Sequence, residues 1–175
     1  IQKKKVCLFF GRERHYKGFK TMEYLLKSNS NINFLVSTTN VDFKNYKDNY
    51  ENILLVDKLN FDEKLFVLKN SYLHLFPSSN RSESLGLALI ESQMFGLPAL
   101  IYKMDSGTNV IIQDNFNGFI IEKDNFQNYQ KKILHLQDDE NIREKLSINS
   151  RNNYLDNFSL DVFNRYYEKL DKLDG

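Results

Sequence analysis

Short apolar runs alternate with longer amphipathic segments along most of this 175-residue chain. The first run, Val6 to Phe10, is apolar throughout, which is typical of a strand buried on both faces of a sheet. Strands that alternate with helices need crossover connections, so the pattern predicts an α/β fold built on a doubly wound parallel sheet of about six strands. The other predicted strands cover residues 32–36, 53–56, 72–76, 99–102 and 119–121.

The amphipathic segments between these runs predict helices. Asn60 followed by Glu63 is typical of a capped helix start, and Gly96 with Pro98 beyond it is a typical helix end. Beyond residue 121, apolar residues recur every three or four positions, which predicts a helical C-terminal tail. The helices predicted before that tail cover residues 19–27, a weak segment near 43–50, the segment that Asn60 begins, residues 85–95 and a short turn at 109–112.

Composition limits the class of protein. A net charge of +1 gives no nucleic-acid-binding footprint, and no apolar run approaches the ~18 residues of a membrane span. The length fits a single domain, residues 1–175, with one core. We expect a cytoplasmic protein in which Cys7 is a buried thiol and in which His15, His74 and His135 form no metal site. Because the chain begins with isoleucine, we also expect that an N-terminal part is missing.

The loop after the first strand, from Gly11 to Gly18, contains two cations. Gly11 lets the backbone turn sharply, and Arg12 and Lys17 follow it at the mouth of the sheet. Ligands of parallel sheets bind at the carboxyl ends of the strands, and two cations suit a diphosphate through charge-assisted hydrogen bonds. The segment is neither a P-loop nor a dinucleotide fingerprint, and a basic surface loop is the alternative interpretation.

The segment after the fourth strand, from Pro77 to Glu91, combines a helix start with two carboxylates. Gly86 is predicted in the first turn of the helix, where free N–H groups and the helix dipole favour a phosphate. Glu83 lies in the loop before the helix, and Glu91 is predicted about two turns inside it. Carboxylates accept hydrogen bonds from hydroxyls, so one near each end of a phosphate site suits a nucleoside diphosphate-sugar. Taken alone, Glu91 could also be an ordinary surface residue.

These segments together resemble a known enzyme family. In order along the chain they are similar to the retaining glycosyltransferases of group 1, also called family 4, and the resemblance runs from about Val6 to Ile121. It implies one half of a GT-B fold, in which two Rossmann-like domains face each other, and it matches the C-terminal, donor-binding half without the N-terminal acceptor domain. The motifs that carry it are Gly11-Arg12, Lys17-Gly18, Glu83-x7-Glu91, Gly96-Leu97-Pro98 and Asn117-Gly118-Phe119.

The resemblance also implies roles for individual residues. Arg12 and Lys17 would bind the donor diphosphate and stabilise it as the leaving group. Glu83 would contact the donor sugar near the reacting carbon, so these three are the candidate catalytic residues. Glu91 would hold the ribose hydroxyls. The residues expected to bind the nucleotide-sugar are therefore Gly11, Arg12, Lys17, the backbone N–H groups of Gly86 and Leu87, and Glu91.

Further expectations follow from the family. The donor would be a UDP- or GDP-sugar, bound without a metal ion or a cofactor and transferred with retention of configuration. The acceptor would be a glycan or a lipid-linked molecule held by the missing half. Family members often build lipopolysaccharide or capsule at the inner face of the cytoplasmic membrane, so the full-length protein would associate with the membrane periphery. The isolated chain would transfer little or no sugar.

Three positions depart from the usual family pattern. Ser37-Thr38-Thr39 stands where Gly-x-Gly is common, Asp57 replaces a glycine, and Val110 replaces a glutamate. Because the first two of these loops approach the nucleobase, the identity of the base stays open. Two alternatives also stay open: a sugar-nucleotide epimerase of the related fold and a non-catalytic nucleotide-sugar-binding module. A nicotinamide dehydrogenase is excluded, since it needs Gly-x-Gly-x-x-Gly after the first strand.

Overall fold

A six-stranded parallel sheet forms the centre of the molecule. The computed structural model describes residues 6–11, 15–28, 31–40, 43, 49–80 and 85–171. All six predicted strands are present, and the predicted α/β fold class is confirmed. The strands are β1 (Val6–Gly11), β2 (Asn33–Thr38), β3 (Ile53–Val56), β4 (Leu73–Phe76), β5 (Ala99–Tyr102) and β6 (Gly118–Ile121).

The strand order is β3-β2-β1-β4-β5-β6, and every neighbouring pair is parallel. The chain therefore builds the sheet outward from β1 in one direction as far as β3. It then returns to place β4 on the other side of β1. In open α/β sheets this reversal opens a crevice at the carboxyl ends of the two central strands. The loops after β1 and β4, which carry the predicted motifs, both start at this edge.

Seven α-helices and one short 3₁₀ turn, His15–Lys17, lie in the part of the chain that the structure describes. The helical C-terminal tail is confirmed as three successive helices. Of the predicted weak helix near residues 43–50, residues 44–48 lie outside the described residues. The helices are α1 (Phe19–Lys27), α2 (Phe61–Asn70), α3 (Leu87–Met94), α4 (Thr108–Ile111), α5 (Phe126–Asp138), α6 (Glu140–Asn157) and α7 (Leu160–Asp171). None of the described helices is both long and apolar enough to cross a membrane.

The two faces of the sheet pack against different helices. Cys7 and Phe9 of β1 lie in a core with apolar residues of α1 and α5, whereas Leu8 points to the other face and packs with Val67 and Leu68 of α2. This alternation follows from the period of two along a strand, and it explains why β1 is apolar at every central position. The site is therefore built on a sheet that is buried on both sides.

Helix α2 begins with the predicted cap. The Asn60 side chain accepts from the Glu63 backbone N–H at 2.9 Å, and the Glu63 carboxylate accepts from the Asn60 N–H at 2.8 Å. These reciprocal bonds satisfy two donors that a helix start leaves without partners. The cap fixes where α2 begins. It therefore also fixes where Lys64, the residue after Glu63, lies along the helix.

Candidate functional site

The two sequence segments meet at the carboxyl edge of the sheet. The backbone N–H of Ser79, in the loop after β4, donates to the Tyr16 carbonyl oxygen at 2.9 Å. Gly18 has a φ of 86°, and a Cβ at this position would collide with the Pro77 carbonyl oxygen. Only glycine combines this backbone conformation with so close an approach. The loop after β1 is therefore held directly against the loop after β4.

Lys17 and the amino end of α3 border the same aromatic ring. The Lys17 Nζ lies 5.6 Å from the centroid of the Phe76 ring, at the end of β4. A Cβ placed on Gly86 would lie 3.4 Å from the Cζ of that ring. Two groups that attract anions, an ammonium and a helix amino terminus, thus converge at the crevice between β1 and β4.

The start of α3 differs from the predicted one. Gly86 is the residue before the helix rather than part of its first turn, and it has a φ of 71°. A residue of a right-handed helix needs a negative φ, so Gly86 cannot belong to α3. The helix therefore begins at Leu87, although the apolar sequence pattern begins earlier. Within the described residues, which resume at Leu85, no side-chain cap of α3 is seen, and the first N–H groups of the helix face the crevice. Glu91 is consequently one turn inside the helix, not two.

Glu91 forms an ion pair with Lys64 that was not predicted from the sequence. The Lys64 Nζ of α2 lies 2.6 Å from the Glu91 carboxylate of α3, with the two side chains 33% and 43% exposed. The same Nζ lies 5.9 Å from the centroid of the Phe10 ring at the end of β1. No sequence motif marks Lys64, because its partner on α3 is 27 positions away.

His74 lies between the aromatic rings at the crevice. Its ring centroid is 5.6 Å from that of Phe10 and 5.7 Å from that of Phe76, both edge-on. The side chain is fully buried, as expected for a histidine packed in the sheet, and its Nδ1 lies 2.7 Å from the Ser92 hydroxyl. Burial, together with the charges of Lys17 and Lys64, lowers the pKa of His74 to about 3, so the ring is neutral.

The remaining residues predicted from the sequence have separate outcomes. Arg12 and Glu83 lie outside the described residues, so their placement stays a prediction. Gly11 is the buried last residue of β1. Val110 is 71% exposed on α4, and His135 is exposed on α5. Within the described ranges, no group of three histidine, cysteine or acidic side chains could hold a metal ion.

A surface cavity of about 510 Å³ does not coincide with this crevice. It lies between the carboxyl end of α3 and the middle of α6, and Gly96 and Arg151 contribute to its lining. Because α3 runs antiparallel to the strands, that end is at the amino edge of the sheet. The crevice at the opposite edge carries the two lysines, Lys17 and Lys64.

Comparison with known proteins agrees with the motifs. The family model described as glycosyl transferases group 1 matches residues 1–153. An uncharacterised glycosyltransferase of Haemophilus influenzae is 26% identical over 155 residues, which is 84% of this chain and 43% of that protein. The O-antigen chain mannosyltransferase C of Escherichia coli is 27% identical over 110 residues, 63% of this chain and 30% of that protein. The chain therefore spans less than half the length of these curated relatives.

Solved structures share the fold. A variant of S. aureus TarM, in complex with fondaparinux, alpha-GlcNAc-glycerol and UDP, superposes with a TM-score of 0.78 at 22% identity, covering 97% of this chain and 36% of that one. At this level of identity the likeness establishes the architecture alone. The architecture, the order of the motifs and the family match all agree.

Proposed function

Because the chain belongs to the group 1 glycosyltransferases, we propose that it is the nucleotide-sugar-binding half of a retaining enzyme with the GT-B fold. One observation carries the proposal. Lys17 and the amino end of α3 border the same Phe76 ring at the point where the strand order reverses. An ammonium and the amino-terminal N–H groups of a helix in one crevice suit a diphosphate.

In the proposed complex the diphosphate lies between Lys17 and the N–H groups at Leu87, with Arg12 as a second cation. These groups would stabilise the negative charge that develops on the diphosphate as the bond to the sugar breaks. We propose that they replace a metal ion in this role. Glu83, which precedes α3, would contact the sugar near the reacting carbon.

The nucleoside end of the ligand would lie toward α2 and α3. Glu91 is one turn inside α3, and helical side chains lean toward the amino end of their helix. Its side chain is 43% exposed, so it is accessible to a ligand in the crevice as well as to Lys64. A carboxylate there would accept hydrogen bonds from the two ribose hydroxyls.

The relatives suggest the product class. They include the O-antigen chain mannosyltransferase C and a poly(glycerol-phosphate) alpha-glucosyltransferase of Bacillus subtilis. We therefore propose that the whole protein adds a hexose to a cell-surface glycan or its lipid-linked precursor. The second half of the enzyme would hold that acceptor.

A nucleotide series tests the proposal. Isothermal titration of this chain with uridine or guanosine, their monophosphates and their diphosphates, all in EDTA, should give rising affinity. We expect one diphosphate to bind about tenfold more tightly than its monophosphate, the size expected for added charge-assisted hydrogen bonds. Removal of divalent metal should change nothing. Equal affinity for nucleoside and diphosphate, or no binding at millimolar concentration, would contradict the proposal.

A further inference from the structure

An ion pair joins the two helices that flank the crevice. Lys64 of α2 and Glu91 of α3 are 27 positions apart, and their charged groups lie 2.6 Å from each other. Both helices cover the same face of the sheet, since Leu8 packs on α2 and its register neighbour His74 contacts Ser92 of α3. The pair therefore forms across the helix–helix boundary, beside the ends of the central strands.

A row of rings connects this pair to Lys17. The Lys64 Nζ lies over Phe10, the Lys17 Nζ lies over Phe76, and His74 packs edge-on between the two rings. Phe10 and Phe76 are at the carboxyl ends of β1 and β4, the strands on either side of the switch point. Lys64 is thus a second described cation at the same crevice, beside the end of β1, whereas Lys17 lies beside the end of β4.

Resting on the proposed function, we infer that Lys64 is a positioning residue for the nucleoside end of the ligand. A glutamate side chain loses rotational freedom when it binds a ligand, and this loss weakens binding. Because the ion pair with Lys64 already restricts the Glu91 side chain, part of that entropic cost is not incurred on binding. The carboxylate has about four acceptor sites, so one ammonium leaves room for two ribose hydroxyls. Lys64 thereby favours ribonucleotides over nucleotides that lack these hydroxyls.

The test compares Lys64→Met with the wild-type chain. The ligand is UDP or GDP, whichever binds the wild-type chain more tightly, and its 2′,3′-dideoxy analogue. Lys64→Met should weaken the ribonucleotide roughly fivefold to tenfold and the dideoxy analogue by less than about twofold, since the lost interaction acts through the hydroxyls. Lys64→Arg, which keeps the charge, should recover most of the difference. In a Glu91→Gln background, Lys64→Met should have no further effect.

Lys27→Met is the matched control. Lys27 also pairs with a glutamate at 2.6 Å, but it lies at the carboxyl end of α1, at the opposite edge of the sheet. It should leave both affinities unchanged. Equal weakening of the ribonucleotide and the dideoxy analogue by Lys64→Met, or no weakening of either, would overturn the inference alone. A wild-type chain that binds neither nucleotide would contradict the proposed function itself, and this inference with it.

Discussion

At the scale of single residues, His74 is an unusual polar group for the centre of a sheet. The Ser92 hydroxyl lies 2.7 Å from His74 Nδ1 and also donates to the Ala88 carbonyl oxygen at 2.8 Å. A hydroxyl has one proton, so this geometry favours an imidazole that donates from Nδ1. The His74 Nε2 is then a buried acceptor without a partner among the described residues. The ring tolerates this only while it is uncharged.

This environment predicts a pH dependence of stability. The folded pKa of His74, about 3, is below its ordinary 6.5. The unfolded chain therefore binds the proton more readily, and stability falls as the pH drops from about 6.5 toward 3. Between pH 7 and pH 5, we expect the free energy of unfolding to fall by about 2 kcal/mol through this residue. Chemical denaturation at the two pH values measures it.

His74→Phe is the informative variant for this effect. Phenylalanine cannot be protonated, and its ring fits between those of Phe10 and Phe76. The other two histidines, His15 and His135, remain in both proteins, so the difference between the two pH profiles isolates His74. An identical loss of stability in the variant and in the wild-type chain would show that His74 is not the group responsible.

The site residues differ in how far they could be predicted. Lys17 and Glu91 were predicted at the sheet edge because each belongs to a motif with fixed spacing. The structure places both beside the crevice, and their roles in binding stay a prediction. Lys64 was not found, because its partner is 27 positions away and helix packing, rather than local spacing, brings the two together. A long-range ion pair leaves no periodic signal in a single sequence.

At the scale of elements, the position of α3 depends on a buried amide cluster. Asn153 of α6 donates to the Gln93 side chain at 2.8 Å and to the Ile111 carbonyl oxygen at 3.2 Å, and Gln93 donates to that same carbonyl at 2.8 Å. Ile111 ends α4, whose Thr108 packs beside Gly86. The cluster therefore ties α6 and α4 to the helix that carries the proposed phosphate site.

Asn153→Leu should destabilise the protein strongly. The change leaves the Gln93 side-chain oxygen buried without its donor, which we expect to lower the free energy of unfolding by about 2–3 kcal/mol. Asn152→Leu, at an exposed neighbouring position of α6, should change it by less than about 0.5 kcal/mol. Urea unfolding of the two variants decides the matter. Equal stabilities of the two variants would show that the hydrogen bonds of the amide cluster make no net contribution to the free energy of unfolding.

Element boundaries were predicted unevenly for a physical reason. The α2 cap could be predicted because Asn60 and Glu63 make it with local side chains. The start of α3 could not, because the apolar pattern continues through Gly86 and nothing local reveals its positive φ. This error moved Glu91 by one turn, and with it the predicted geometry of the ribose site.

At the scale of the whole molecule, alternating strands and helices predicted a parallel sheet but not its order. Each strand can be predicted from a short apolar run. The strand order cannot, because it depends on the side of β1 to which the connection after β3 returns. The two loops that this reversal brings together were predicted from the rule that ligands bind at the carboxyl ends of parallel strands, and the family resemblance then implied roles for their residues. The structure then showed that Ser79 and Tyr16 join those loops directly.

The proposed diphosphate site is tested most directly by calorimetric titration of Lys17→Met with UDP and GDP in EDTA. The wild-type chain and Lys27→Met are titrated under the same conditions. Lys17 borders the Phe76 ring with the amino end of α3, so its loss removes one of the groups that meet the diphosphate. We predict at least about a tenfold loss of affinity for the diphosphate. Lys27→Met should bind like the wild-type chain. Unchanged binding by Lys17→Met would contradict the diphosphate site.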